Sequence, residues 1–148
     1  MRKLVLGKNW YHAIRVNPKF RQDSSMPEKR LSALYNALLY NPNTKGSCCV
    51  GLYLNQCGVP NTVLANNGTA LALNYSAIPE EAKWLIEITS FKENSEDART
   101  LYGANDGVRC DFSILTPEKF KAKQREIIRA VFAKHNVEVI FEDEQQAA

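Results

Sequence analysis

The chain of 148 residues contains no uninterrupted apolar run of about 18 residues, the length a membrane-spanning helix needs. Only two histidines occur, His12 and His135, and neither lies near a cysteine in sequence. There is no Cys-x-x-Cys knuckle, no Walker loop and no Gly-x-Gly-x-x-Gly turn. The sequence signatures of zinc modules, P-loop hydrolases and dinucleotide oxidoreductases are therefore missing.

A disulfide framework is missing too. The four cysteines stand at 48, 49, 57 and 110. Adjacent Cys48 and Cys49 pair poorly with each other. A chain of this length buries roughly two thirds of its unfolded surface, so it needs no covalent staple. Reduced thiols acting as small buried hydrophobes are the simpler reading. The N-terminus is basic and then apolar, but Leu4-Val5-Leu6 gives way to Gly7-Lys8-Asn9. That is short of a signal-peptide core of about 7–15 residues, and it reads as a first strand.

What is present looks globular. Hydrophobic residues make up 45% and charged residues 24%, which excludes wholesale disorder and suits one domain over residues 1–148. The net charge is only +3, but it is unevenly spread. Up to Lys45 the sole acids are Asp23 and Glu28, whereas acids crowd residues 80–97 and 138–144. The basic first third is either a solvated face or a surface that meets phosphate.

The pattern predicts an α+β fold: a single compact domain with three to four helices packed on a small, mainly antiparallel sheet. Residues 4–6 and 10–16 read as strands, with Asn17-Pro18 turning the chain. Pro27 opens a helix whose stripe is Leu31, Leu34, Tyr35, Leu38 and Leu39, stopped by Asn41-Pro42-Asn43. Ser47 is the expected cap of a buried helix from Cys48 to about Gln56, closed by Gly58. Residues 63–65 and 70–73, flanking Asn66-Asn67-Gly68, read as short hairpin strands. Pro79 opens a third helix, which carries Trp84 and runs to about Ser90.

Residues 101–107 read as a glycine-bounded turn, and Cys110, Phe112 and Ile114 as a strand or an extended lead-in. Thr116-Pro117-Glu118 starts the last helix, with cap, proline and acid in order. Its apolar side carries Phe120, Gln124, Ile127, Val131 and His135. Residues 137–141 form a final strand, and the polar tail over 142–148 is expected to fray.

Four segments, taken in order over residues 30–132, carry a resemblance. They are Cys48-Cys49-Val50-Gly51-Leu52, Ile78-Pro79 with Trp84, Asn105-Asp106-Gly107, and Phe120 with Ile127-Ile128. Together they resemble a family of small uncharacterised tailed-phage proteins with a Cys-Cys-x-Gly-x-Leu segment and a later Asn-Asp-Gly turn. The chain departs from that pattern at Tyr53-Leu54, in a more basic last helix and in an extra final strand. The resemblance implies a phage-type protein in the cytoplasm of an infected bacterial host. It implies no reaction.

Three constellations bear on chemistry. Cys48 and Cys49 lie at a helix N-terminus, where a thiol is acidified, but no base stands beside them and apolar neighbours favour packing. No metal site is expected, because Cys48 and Cys57 would point to opposite sides of one helix. Asn105 and Asp106 either hold a ribose or base edge or bond their own backbone in a tight turn. Trp10 and Tyr11, with Lys8, His12, Arg15 and Arg21, interleave aromatic rings and cations, as nucleotide-binding surfaces do. The alternative is a strand with Trp10 buried and its cations solvated. Lys119, Lys121, Lys123 and Arg125 read as a solvated face of the last helix.

The expected function is a non-enzymatic binder, with Trp10, Tyr11, Arg15, Arg21, Asn105 and Asp106 as ligand-binding candidates. A nucleotide second messenger sequestered against host defence is the leading ligand class. Two other readings are a protein–protein inhibitor or adaptor of a host protein, and a thiol enzyme using Cys48 or Cys49. No cofactor and no membrane partner are expected. The near-neutral charge balance disfavours nucleic acid, and a small homo-oligomer would suit a sequestering protein.

Overall fold

A computed structural model describes residues 2–13, 38–67, 69–70, 73–89, 96–107 and 116–146. The two ends of the chain meet in one sheet. Strand β1 (Arg2–Leu6) pairs in parallel with β2 (Val137–Phe141), in the register Arg2↔Val137 to Leu6↔Phe141. Leu4, Leu6, Val137, Val139 and Phe141 face the core, so the two-residue alternation of each strand is used as expected. The pairing is parallel, not the antiparallel arrangement the sequence suggested. Parallel neighbours need a long crossover, and here the rest of the domain supplies it.

Beside β1 lies α1 (Cys49–Gln56), the central helix, with Cys49, Val50, Gly51, Tyr53 and Leu54 buried. Its cap is Cys48 rather than Ser47: the Cys48 Sγ accepts from the Gly51 N–H at 3.5 Å. Gly58 ends the helix with φ +112, a left-handed conformation suited to glycine. From its last turn, Gln56 reaches the free edge of β1. Its amide donates to the Val5 carbonyl at 2.9 Å and accepts from the Val5 N–H at 3.1 Å. A side chain thus stands where a third strand would pair.

Of the expected hairpin at 63–73, the first strand is not formed, and Gly68, Leu71 and Ala72 lie outside the described residues. Asn61–Leu64 is a single helical turn, α2, and Ala65 makes only an isolated bridge to Tyr40. Two 3-10 turns, Tyr75–Ala77 and Glu80–Ala82, lead into α3 (Lys83–Thr89). The expected turn at 101–107 is instead the end of α4 (Glu96–Asp106), with Leu101 and Ala104 fully buried. Gly107, at φ +73, terminates it.

Helix α5 (Pro117–Ala133) begins at the expected cap, where Thr116 Oγ1 accepts from the Lys119 N–H at 3.3 Å. It packs on α4 and on β2. Phe120, Gln124, Ile128, Val131 and Phe132 are buried along it, and Ile127 is partly buried. The segment after β2 forms α6 (Glu142–Gln146) where a frayed tail was expected. Six α-helices are thus described, against the three to four expected.

Residues 14–37 and 108–115 lie outside the described residues, and with them most of the expected helix after Pro27 and the strand at Cys110. Of residues 10–16, Trp10 makes one isolated bridge to Ser47, and Tyr11 to Ala13 are not in a strand.

Candidate functional site

Burial of the apolar faces of α1, α4 and α5 draws the segment after β1 across their ends, and Asn105 ties it there. The Asn105 Oδ1 accepts from the Trp10 indole N–H at 2.7 Å and from the Cys49 N–H at 3.1 Å. Its Nδ2 donates to the Tyr11 carbonyl and to Asp106 Oδ1, each at 3.0 Å. The Asn105 backbone carbonyl accepts from the Ala13 N–H at 2.8 Å. Gln124 completes the knot, donating from Nε2 to the carbonyls of Ala13 at 3.0 Å and Ala104 at 2.9 Å.

Four of the six sequence candidates therefore come together: Trp10, Tyr11, Asn105 and Asp106. Arg15 and Arg21 lie outside the described residues. Asn105 is fully buried, and Trp10 is nearly so, with its indole N–H committed to Asn105. Asp106 is buried and accepts from Asn105. Loss of water pushes its carboxyl up to about 8, which leaves it largely protonated at pH 7.

Beside this network the surface opens. One cleft of about 270 Å³ is lined by Lys8, Trp10, His12, Arg125 and Asp143, among others. A second, of about 310 Å³, shares His12, Arg125 and Asp143 and continues along Lys121 and Gln124. The His12 ring stacks on Trp10 with centroids 3.7 Å apart. Its Nδ1 lies 3.0 Å from the Ala13 carbonyl, which puts the proton on Nδ1. Burial lowers its pKa, so the ring is neutral at pH 7. His12 thus fronts both clefts as a neutral aromatic surface with an acceptor nitrogen.

Arg125 is the cation of the site. Its guanidinium carbon lies 4.4 Å from the Phe141 ring centre and 6.0 Å from that of Trp10. Asp143 grips it with two bonds of 2.8 Å, and Glu144 adds one of 2.7 Å. Glu144 also takes Arg129 at 2.7 Å, and Lys121 stands 3.4 Å from Asp143. Bonding to Arg125 holds the Asp143 carboxyl well below the usual carboxylate range. The last helix's basic side was read as solvated; at Arg125 that is corrected, because this residue is buried and forked to the tail. No spacing rule links a mid-helix arginine to acids some twenty positions later, so the sequence could not reveal the pair.

No described thiol lines either cleft. Cys48 and Cys49 are unpaired and fully buried. Loss of water pushes the Cys48 thiol up to about 12 and raises Cys49 well above its ordinary value. Each histidine ring stacks on a tryptophan, His12 on Trp10 and His135 on Trp84 at 4.0 Å. Among the described residues there is no group of three or more metal-ligating side chains, and no helix is long and apolar enough to cross a membrane. No family model, no curated protein and no solved structure matches this chain.

Proposed function

We propose that this protein is a small-molecule binder that takes an anionic, ring-bearing ligand of nucleotide type. The observation that carries the reading is that the neutral His12 ring and the Arg125 guanidinium both line two adjoining open clefts. An aromatic face with an adjacent cation is what a base and its phosphate require. Lys8 and Lys121 line the same surface and extend the cationic side. Within this reading His12 replaces Trp10 as the stacking ring, and Trp10, Asn105 and Asp106 hold His12 in place from behind.

The biological duty proposed for such a binder is sequestration of a nucleotide signal used in host defence, in keeping with the phage-type setting that the resemblance implies. A thiol-enzyme reading loses its support, because Cys48 and Cys49 are buried, protonated and without a histidine base. A thermal-shift panel of linear and cyclic nucleotides and ADP-ribose-type compounds tests the proposal. A selective rise in melting temperature is expected for at least one of them, since a ligand at a hundred times its Kd adds about 2.7 kcal/mol.

A further inference from the structure

The ion pairs at Arg125 are lopsided. The Arg125 side chain is 6% exposed, whereas Asp143 is 54% and Glu144 43% exposed. The cation is fixed by the Phe141 and Trp10 rings inside a 17-residue helix. The anions ride on a five-residue helix at the end of the chain. A helix so short has little stability of its own and is held by what it touches. Its Glu142 lies over Gly7, where even a methyl group would collide with the carboxylate.

Two further observations mark the cleft as built for an anion. Arg125 is a buried cation on the wall of both clefts, and its Nε has no hydrogen-bond partner among the described residues. Without the turn, the two clefts would present Lys8, Lys121 and Arg125 against the single acid Glu118, an excess of positive charge that favours a counter-anion. The three carboxylates of Glu142, Asp143 and Glu144 supply it from within the chain. A bidentate carboxylate on a guanidinium is also the closest protein mimic of a bound phosphate.

We propose that the acidic turn is a built-in occupant of a phosphate subsite centred on Arg125, and that the phosphate of a ligand displaces Asp143 and Glu144. The proposal rests on the nucleotide-type reading above and adds how that site is regulated. Binding then carries a cost set by the fraction of molecules in which the turn is already released.

The test uses the full chain and inorganic pyrophosphate, with ADP as the ring-bearing comparison. Backbone 15N heteronuclear NOE values of residues 142–146 are recorded with and without saturating pyrophosphate. They are expected to fall to values of a mobile tail, while those of β2 stay unchanged. In parallel, the doubly neutral variant Asp143→Asn with Glu144→Gln is expected to bind pyrophosphate about tenfold more tightly, equivalent to about 1.4 kcal/mol.

Bound pyrophosphate with an unmoved turn overturns the proposal. So does equal affinity in the two proteins, or binding to neither. If the double variant does not fold, the NOE measurement on the unaltered chain decides alone. Release of the turn by pyrophosphate without any preference for ADP keeps the gate and removes the nucleotide reading. ADP binding with the turn in place keeps the nucleotide reading and removes the gate.

Discussion

The Asn105 side-chain oxygen accepts the Trp10 indole proton at 2.7 Å, joining the end of α4 to a segment 95 positions earlier. The same oxygen holds the first N–H of α1, so three distant parts of the chain meet on one atom. Asn105→Ala would leave Trp10 Nε1 and the Cys49 N–H without their Asn105 acceptor in a buried place. At about 1–3 kcal/mol for each such group, a loss of at least about 2 kcal/mol is expected. Urea unfolding measures it, and a loss under about 1 kcal/mol would mean the network is dispensable.

Asp106 gives stability an unusual pH dependence. Its carboxyl ionises near 3.8 when unfolded and near 8 in the fold, because burial penalises the charge. Between those values the native state keeps a proton that the unfolded state has lost. This contribution is therefore complete below about 3.8 and declines as pH rises towards 8. Asp106→Asn removes the decline, so the variant is expected to outlast the parent at pH 9 by an amount that shrinks in acid. Asp143 and Glu144 act with the opposite sign: Arg125 and Arg129 depress them, and their contribution is lost only as pH falls below the usual carboxylate range. Melting temperatures from pH 3 to pH 9 separate the two limbs, and parallel curves for parent and Asp106→Asn would refute the assignment to Asp106.

Gly51 lets α1 touch the backbone of Leu39, since a Cβ there would run into the Leu39 carbonyl. Alanine in a helix ordinarily gains about 1 kcal/mol over glycine. Against immovable backbone, the overpacking cost of about 1–3 kcal/mol exceeds that gain. Gly51→Ala is expected to be net destabilising, and a rise in its urea midpoint would show that Leu39 moves away at little cost.

Cys48 and Cys49 are expected to resist alkylation in the folded chain at pH 7 and to react fully in denaturant, since their labelling requires opening of the core. Half-buried Cys57 is the first of the three to be modified. Peptide mass spectrometry after a timed iodoacetamide pulse reads this directly. Rapid labelling of Cys48 or Cys49 would restore the thiol-enzyme reading.

The parts of the fold that local chemistry dictates were legible in the sequence. Thr116-Pro117-Glu118 starts α5 where expected, Cys49–Gln56 and its Gly58 stop match to within a residue, and Val137–Phe141 is a strand. The failures came where tertiary contact overrides local preference. Asn105-Asp106-Gly107 has the composition of a turn, yet burial of Leu101 and Ala104 keeps α4 helical through Asp106. Strand pairing between Leu4 and Val139 leaves no trace in either segment, so neither the partner nor its direction was readable.

The candidate site was half legible. The segment from Lys8 to His12 advertised itself by its mixture of rings and cations. Arg125 did not, because an arginine at helical spacing on a polar face is indistinguishable from a solvated one until Asp143 and Phe141 are seen beside it.

Isothermal titration of nucleotides into the full chain, repeated on His12→Ala, tests the binding site most directly. At least one phosphate-bearing nucleotide is expected to bind the parent chain at 1:1, with affinity weakened about tenfold in His12→Ala, since base stacking on an aromatic ring is worth about 1–3 kcal/mol. Absence of binding by every nucleotide, or binding that His12→Ala leaves untouched, would contradict the placement of a nucleotide in this cleft.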